Sequence, residues 1–590
     1  MSVAPGTLLV SNGSATVMVG GRAVTFPTTV TDAVWSADGS RIVFVDQDGN
    51  IATARPNGSG LVVLTVRKDG VTRSRPTWSV LGILFEERAK DGQIQMRLVG
   101  PGLGTKPSDG TVFDPEMEDP TGNSAPNGTG HGDGVDLTFQ HQGRNGPEVW
   151  VADYNQREPW AEKVADGSEP AISADGTKLA FVAPNGQVSV VALRGAERTP
   201  AQVTFGVDSP SHLTWSPDGN AVAFSTGTDI GSVSATVPAG ATQNAVTRLS
   251  TSAGVATFLR PARDRVVRIA GTDPIAASVA ASQSRWPLMD DYVLTESSVP
   301  ANGAVLVGTG NLPVALSGAM LARLANGPVL FTGAGALDPR TKAELKRTLG
   351  RVVAPEIVPT VYLVGGADVV SAQAEAEVKA MGYETRRIAG GNQYEVAAAV
   401  RDSSPLPDIV FVVDGEDAAG QAAVASLLRY STMVILSHGS ELAQGAKTFL
   451  NKLPPTATVY AVGSAAAEAV AAPWAGKPSK LKVVSTSVAE LDGNFIGWGP
   501  VVVADAAAKE DLVIAVATAI SAGGRVVVPD ASGLDQRMAA WLDGSSAAID
   551  TVLLVDPGAK IGRELEAQLG GLVSGPLGYT VATNPAPPSF

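Results

Sequence analysis

Short apolar runs broken by polar turns fill the first 260 residues, and one such phrase recurs. It reads Val34-Trp35-Ser36-Ala37-Asp38-Gly39 before Ser-Arg-Ile-Val-Phe, and Ala171-Ile172-Ser173-Ala174-Asp175-Gly176 before Thr-Lys-Leu-Ala-Phe. It returns as Thr214-Trp215-Ser216-Pro217-Asp218-Gly219 before Asn-Ala-Val-Ala-Phe, with a worn copy at Thr77-Trp78-Ser79. The steps from 35 to 78 and from 172 to 215 are both 43 residues, and the 94 residues between 78 and 172 hold two units. Asp-Gly supplies the positive φ of a tight hairpin, and the Val, Ile and Phe around it read as strands buried between sheets. A repeat of this length fits one four-stranded blade of a β-propeller, with the Trp filling the space between neighbouring blades. Five units follow from positions 35, 78, 120–160, 172 and 215. A sixth blade is expected from the strands at 7–25 together with 255–260, so that both ends of the domain close the ring.

From about residue 265 the period lengthens. Val361-Tyr362-Leu363-Val364-Gly365-Gly366 is matched by Val459-Tyr460-Ala461-Val462-Gly463-Ser464 and by Val552-Leu553-Leu554-Val555-Asp556, at steps of 98 and 93. A second set is Val329-Leu330-Phe331-Thr332, Val434-Ile435-Leu436-Ser437 and Val526-Val527-Val528-Pro529. Ala-rich helical stretches lie between them. Strands alternating with helices predict parallel sheets covered on both faces. The fold expected is therefore multidomain: an all-β propeller of six blades over 1–260, then three Rossmann-like α/β repeat domains near 265–384, 385–481 and 482–580.

Two resemblances rest on these residues. The Trp-Ser-x-Asp-Gly phrases resemble the blades of TolB-like six-bladed propellers, over residues 1 to about 260. The second half is similar to cell-wall-binding repeats of type 2, which open with Arg-Ile-x-Gly-x-Asp-Arg-Tyr. Arg268-Ile269-Ala270-Gly271-Thr272-Asp273 and Arg387-Ile388-Ala389-Gly390-Gly391-Asn392-Gln393-Tyr394 carry that opening. Pro313-Val314-Ala315-Leu316-Ser317-Gly318 matches the helix that follows, with Val314 in place of its acid and Gln421 nearby in the second repeat. Val484-Ser485-Thr486-Ser487 replaces the opening in the third. The resemblance implies three Rossmann-like domains packed as a triangle that hold secreted proteins non-covalently on anionic wall polymers.

Composition narrows the partners. The 590 residues carry a net charge of −14, which argues against nucleic acid. Zero cysteine removes disulfides, thiolate metal sites and Cys nucleophiles. No run of about 18 apolar residues spans a bilayer. The N-terminus lacks a charged-then-apolar export signal, and Met1 to Pro5 reads as an added start before a mature chain, so the missing signal is uninformative.

Enzymatic constellations are thin. A serine hydrolase behind a propeller needs Gly-x-Ser-x-Gly and a late His; the elbow is absent and the last His is His438. His131, Asp133, Asp136 and His141 form the one metal-like cluster, with a long turn as its plainer reading. His212, before a blade strand, reads as a packing or loop residue. Gly308-x-Gly310 and Gly333-x-Gly335 follow strands without completing a dinucleotide or phosphate motif. No catalytic residue, metal or cofactor is expected, and the chain is read as a non-enzyme.

Arg268 and Arg387 end strands before a Gly, at the edge where α/β domains bind ligands, and arginine suits polymer carboxylate or phosphate. With the hydroxyls of Thr332, Ser437 and Ser317 they form the expected polymer-binding set. The alternative for the arginines is a brace between repeats. The expected protein is extracellular and held at the cell wall by an anionic polysaccharide or peptidoglycan-linked polymer, with the propeller as a docking platform for other surface or secreted proteins. The competing reading is a non-enzymatic scaffold subunit of an extracellular assembly.

Overall fold

A computed structural model describes residues 6–79, 81–100, 107–115, 122–128, 137–153, 160–193, 198–259, 264–286, 301–309, 312–350, 358–403, 406–427, 432–477, 482–486, 500–505, 509–522, 524–529, 533–534, 536–549, 551–556, 561–575 and 578–584. Two compact units divide them: one built on residues 1–264, the other on 265–539 with 551–570 and 580–590.

Six four-stranded antiparallel sheets make the first unit. Five run in chain order, each beginning with an inner strand: Thr31–Trp35, Thr72–Ser79, Ser124–Gly128, Ser168–Ile172 and Ser211–Trp215. The remaining sheet takes three strands from the start of the chain and its inner strand, Val255–Phe258, from the end of the domain. Leu9 pairs with Thr257 and Val10 with Ala256, which closes the ring as the hydrophobic pattern predicts. The recurring phrase has a concrete geometry. The Ser36, Ser173 and Ser216 hydroxyls each donate to the Asp two residues on, at 2.6 Å, and each accept from the backbone N–H five residues on. Gly39, Gly176 and Gly219 take φ of 73°, 63° and 65°, where other residues are strained. The Trp78 indole N–H donates to the Val34 carbonyl at 3.3 Å and that of Trp215 to Ala171 at 2.8 Å, so the tryptophans stitch one blade to the preceding one.

The second unit holds three parallel sheets. In the first, Gly303–Gly308 lies between Val329–Thr332 and Thr360–Val364, with Glu384–Ile388 outermost. In the second, Ile409–Asp414, Thr432–Ser437, Thr458–Val462 and Lys482–Thr486 take the same order. The third contains Val501–Ala504, Arg525–Val527 and Thr551–Val555, and its next strand is Asp264–Ile269 from the start of the unit. Tyr579–Thr583 adds a fifth strand. The strands at the expected boundaries, 384–388 and 482–486, thus join the sheet that precedes them. The fourth strand of the last sheet comes from the beginning of the α/β half, so the three sheets are tied cyclically.

Alternation along the strands explains the layering. Val305, Val307, Phe411 and Val413 face a shared core, while Leu306, Val410 and Val412 face outer cores of single sheets. Into the shared core pack the helices Leu312–Ala319, Ala418–Ala425 and Lys509–Ala522, rich in Ala and Val. Small side chains let three helices approach closely where larger ones would hold them apart.

Candidate functional site

The opening motif can be read residue by residue. Asp273 and Asn392 are helix N-caps, accepting from Ala276 N–H at 2.9 Å and Glu395 N–H at 3.0 Å. Glu395 accepts from Gly391 N–H, one residue before the cap, at 2.8 Å, which fastens the loop to the first turn. Ile269 and Ile388 enter the shared core. A Cβ on Gly271 would lie 2.5 Å from Ala277 N, so glycine is required for the turn into the helix.

The arginine turns inward. Arg387 donates to Glu375 Oε2 at 2.8 Å and to the Gly365 and Gly366 carbonyls at 3.0 and 3.1 Å. Arg268 pairs with Asp556, donates to the Ile561 carbonyl at 3.2 Å and meets Glu566 at 2.6 Å. The two sets are equivalent: Arg387 stands beside Leu363 and Arg268 beside Leu554, and Glu375 and Glu566 are each the fourth residue of the next helix. Each guanidinium ties its strand to the neighbouring strand's loop and helix, the brace reading of these residues. In the second sheet the same positions are Ser485, beside Ala461, and Ala467, so cation and carboxylate are missing together.

Hydrogen bonds from Lys379 and Arg387 hold the Glu375 carboxyl down at about 2. Its unfolded value is about 4.3. Ionised Glu375 therefore favours the fold above that value, and its contribution is lost as pH falls from about 4.3 toward 2. Acid titration of the unfolding midpoint should show wild type and Glu375→Gln apart at neutral pH and converging in that window.

The predicted hydroxyls lie deeper than a surface polymer reaches. Thr332, Ser437 and Ser317 are fully buried. Thr332 accepts from Asp338 N–H at 3.2 Å, and the Ser317 and Ser437 hydroxyls find no partner among the described residues. Thr332 and Ser437 end their strands, and Ser317 lies on the helix Leu312–Ala319. Arg387 and Thr332 occupy opposite edges of the first sheet, Ser437 belongs to the second and Arg268 to the third, so the five do not converge. Thr486 lies on the last strand of the second sheet, and Ser487 lies outside the described residues. So do His131, Asp133 and Asp136; His141 Nδ1 lies 2.9 Å from Asn123 Oδ1. Among the described residues no helix is long and apolar enough to cross a membrane.

One exposed cluster was missed as a site. Tyr394 stacks on His438 with centroids 3.5 Å apart, and its hydroxyl donates to Glu416 at 3.0 Å. Gln393 Nε2 reaches the same Glu416 oxygen at 3.1 Å. Burial, with Glu416 beside it, pushes the Tyr394 phenol up to about 12. The ring lies flat on Gly415, where a Cβ would come within 2.2 Å of it. The cluster stands at the carboxyl ends of Ile409–Asp414 and Thr432–Ser437, the ligand edge of a parallel sheet. Its signal was the Tyr of the opening motif, which repeat one replaces with Ile275.

Residues 268–375 match the model of the family described as cell wall binding domain 2. The chain carries a cell wall binding domain. A domain of this type indicates a cell-surface location. N-acetylmuramoyl-L-alanine amidase LytC of Bacillus subtilis (strain 168) is 32% identical over 115 residues, 20% of this chain and 22% of that protein. The chain thus matches about a fifth of the length of that relative. Among solved structures, Cwp6 from Clostridium difficile aligns with TM-score 0.42 and 12% identity, over 82% of this chain and 66% of that one. Cwp8 from Clostridium difficile gives 0.41 and 14%, over 72% and 88%. TolB from Acinetobacter baumannii gives 0.32 and 15%, over 43% and 67%.

Proposed function

We propose that the three α/β repeats hold this protein non-covalently on an anionic cell-wall polymer, that the propeller is a docking platform for another surface or secreted protein, and that neither half is catalytic. The family match over 268–375 carries the wall-binding part of this reading. The Tyr394–His438 stack is the contact we assign to the polymer. It is a half-buried tyrosine under an exposed histidine ring, with an amide and a carboxylate at the rim, able to pack against a sugar ring and hydrogen-bond its hydroxyls. The chain is acidic overall, so an anionic polymer is not steered in from a distance, and affinity must come from such short-range contacts.

Cosedimentation with purified walls tests this. The full chain should be retained, and walls stripped of anionic polymer should retain far less. Tyr394→Ala should lower retention roughly tenfold, the scale of one lost aromatic contact of about 1.4 kcal/mol. Added salt should weaken retention only modestly. A wild-type chain that never cosediments would favour the scaffold reading. For the platform, photo-crosslinkers at the exposed Val112 and Trp160 of the propeller should capture a surface protein, and a failure to do so removes that part. A fluorophosphonate probe should label no serine.

A further inference from the structure

Five inner propeller strands share an irregularity that the blade fold alone does not demand. Each shifts register at the same point, and the residue there is Asp32, Arg75, Ala125, Glu169 or His212. Their φ angles are 54°, 53°, 48°, 53° and 49°. Left-handed backbone at a non-glycine residue costs on the order of 1 kcal/mol, and Asp and His tolerate it better than Arg, Ala or Glu. Glycine would relieve the strain in every blade, yet four of the five positions carry an ionisable side chain.

These side chains meet in the channel at the propeller axis. Arg75 and Glu169, two blades apart, form a bidentate pair at 2.9 and 2.6 Å, and the small Ala125 occupies the blade between them. Asp32 accepts from Arg75 N–H at 2.9 Å and lies 3.9 Å from His212 Nε2. Glu169 accepts from His212 N–H at 2.7 Å. Burial and then Arg75 push the His212 imidazole below its ordinary value, against the pull of Glu169 and Asp32. Burial opposes the Glu169 charge, but Arg75 prevails and holds that carboxyl low. Glu86 accepts from Ala125 N–H at 3.3 Å and brings a third carboxylate near Arg75. The Arg75–Glu169 pair compensates itself, and among the described residues Asp32 has only the His212 imidazole, at 3.9 Å, within ion-pair distance.

The same cavity, of about 80 Å³, is walled by Trp35, Trp78 and Trp215. The indole N–H groups of Trp78 and Trp215 are used between blades, whereas that of Trp35, buried to 4% exposure, has no partner among the described residues. The cavity thus offers the Asp32 carboxylate between aromatic walls, with the unpaired Trp35 N–H buried behind its lining. Its volume suits one extended side chain with its peptide group, not a folded surface.

We propose that the propeller channel is a binding site for a basic peptide segment, taking one lysine or arginine side chain against Asp32 between the Trp35, Trp78 and Trp215 rings. This rests on the docking reading of the propeller and names the chemistry of its partner. Desolvated ammonium groups also gain from indole faces, which favours a cation over a neutral side chain here.

The full chain is titrated by calorimetry with acetyl-Gly-Lys-Gly-amide, and with the same peptide carrying Gln or Glu in place of Lys. The lysine peptide should bind at least tenfold more tightly than either. Asp32→Asn should abolish that preference; Asn accepts left-handed backbone as readily as Asp, so the blade keeps its shape. Trp35→Phe should weaken the lysine peptide several-fold. Equal binding of the three peptides, or a lysine preference that survives Asp32→Asn, overturns the site. Crosslinking from Val112 and Trp160 separates the two readings. Capture of a partner without lysine-peptide binding leaves the platform and removes the channel, and the converse leaves the channel and removes the platform.

Discussion

Arg268→Ala is expected to destabilise the α/β unit by about 3 kcal/mol, the cost of removing one partner from a buried ion pair. The Arg268 side chain is 17% exposed, Asp556 1% and Glu566 16%, so water recovers little of the lost interaction. The geometry enlarges the effect. Arg268 stands on Asp264–Ile269, and its carboxylates follow Thr551–Val555 and lie on the helix Arg563–Val573. It therefore fastens the first strand of the α/β half to the last sheet. Urea unfolding should show the midpoint fall for Arg268→Ala. Arg268→Lys should recover only part of it, because an ammonium cannot reach two carboxylates and a carbonyl as a planar fork does. Arg387→Ala is the control: Glu375 is a more exposed partner, and about 1 kcal/mol is expected. Equal losses for the two alanine variants would mean that Arg268 has no special part in closing the unit. His438→Ala, at the exposed side of the Tyr394 stack, should behave oppositely, lowering wall retention while leaving the urea midpoint nearly unchanged.

Gly128→Ala should be the most damaging single methyl in the propeller. A Cβ at residue 128 would lie 2.0 Å from the Trp78 carbonyl oxygen and 3.0 Å from its carbon, both backbone atoms of the neighbouring blade. No rotamer change relieves a backbone contact, so the blades must separate. Overpacking typically costs 1–3 kcal/mol, and about 3 kcal/mol is expected for a clash this short. The movement would also strain the bond from Gly128 N–H to Thr77 Oγ1, now 3.0 Å. Thermal unfolding of the full chain should show the propeller transition shifted down and the α/β transition unchanged. Gly186→Ala, with nothing within 4 Å of its Cβ, carries only the strain of its φ of 77° and should cost less. A Gly128→Ala chain as stable as the Gly186→Ala chain would contradict the close blade contact.

Nothing near Gly128 announces this in the sequence, because the blade around it has lost the recurring phrase. Elsewhere the signal was strong. Trp35, Trp78 and Trp215, with the Asp-Gly turns after Trp35, Ile172 and Trp215, made the blade period legible, and the ring closure through residues near 255–260 followed from counting strands. The apolar runs at Val329-Leu330-Phe331 and Val361-Tyr362-Leu363-Val364 announced strands covered on both faces. The Arg-Ile-x-Gly-x-Asp opening was visible as a motif, but its parts were not separable: cap, core residue, tight turn and brace occupy successive positions, and each role depends on a different neighbour.

Turn chemistry, strand periodicity and N-capping act between residues a few positions apart, so the order of residues suffices to specify six blades and three α/β repeats. Which strand completes which sheet is another matter. Asp264–Ile269 joins a strand almost 290 residues away, and the apolar pattern of Val266 and Val267 would suit any parallel neighbour. The same holds for the functional chemistry. An arginine before a glycine is equally a ligand donor or a brace until Glu375 and Glu566 are seen beside it. Tyr394 and His438 become one surface only when two strands end together, and Asp32, Arg75, Glu169 and His212 become one ring only when the blades close. Charge and hydrogen-bonding capacity belong to each residue, but the partner that uses them is set by packing across the chain.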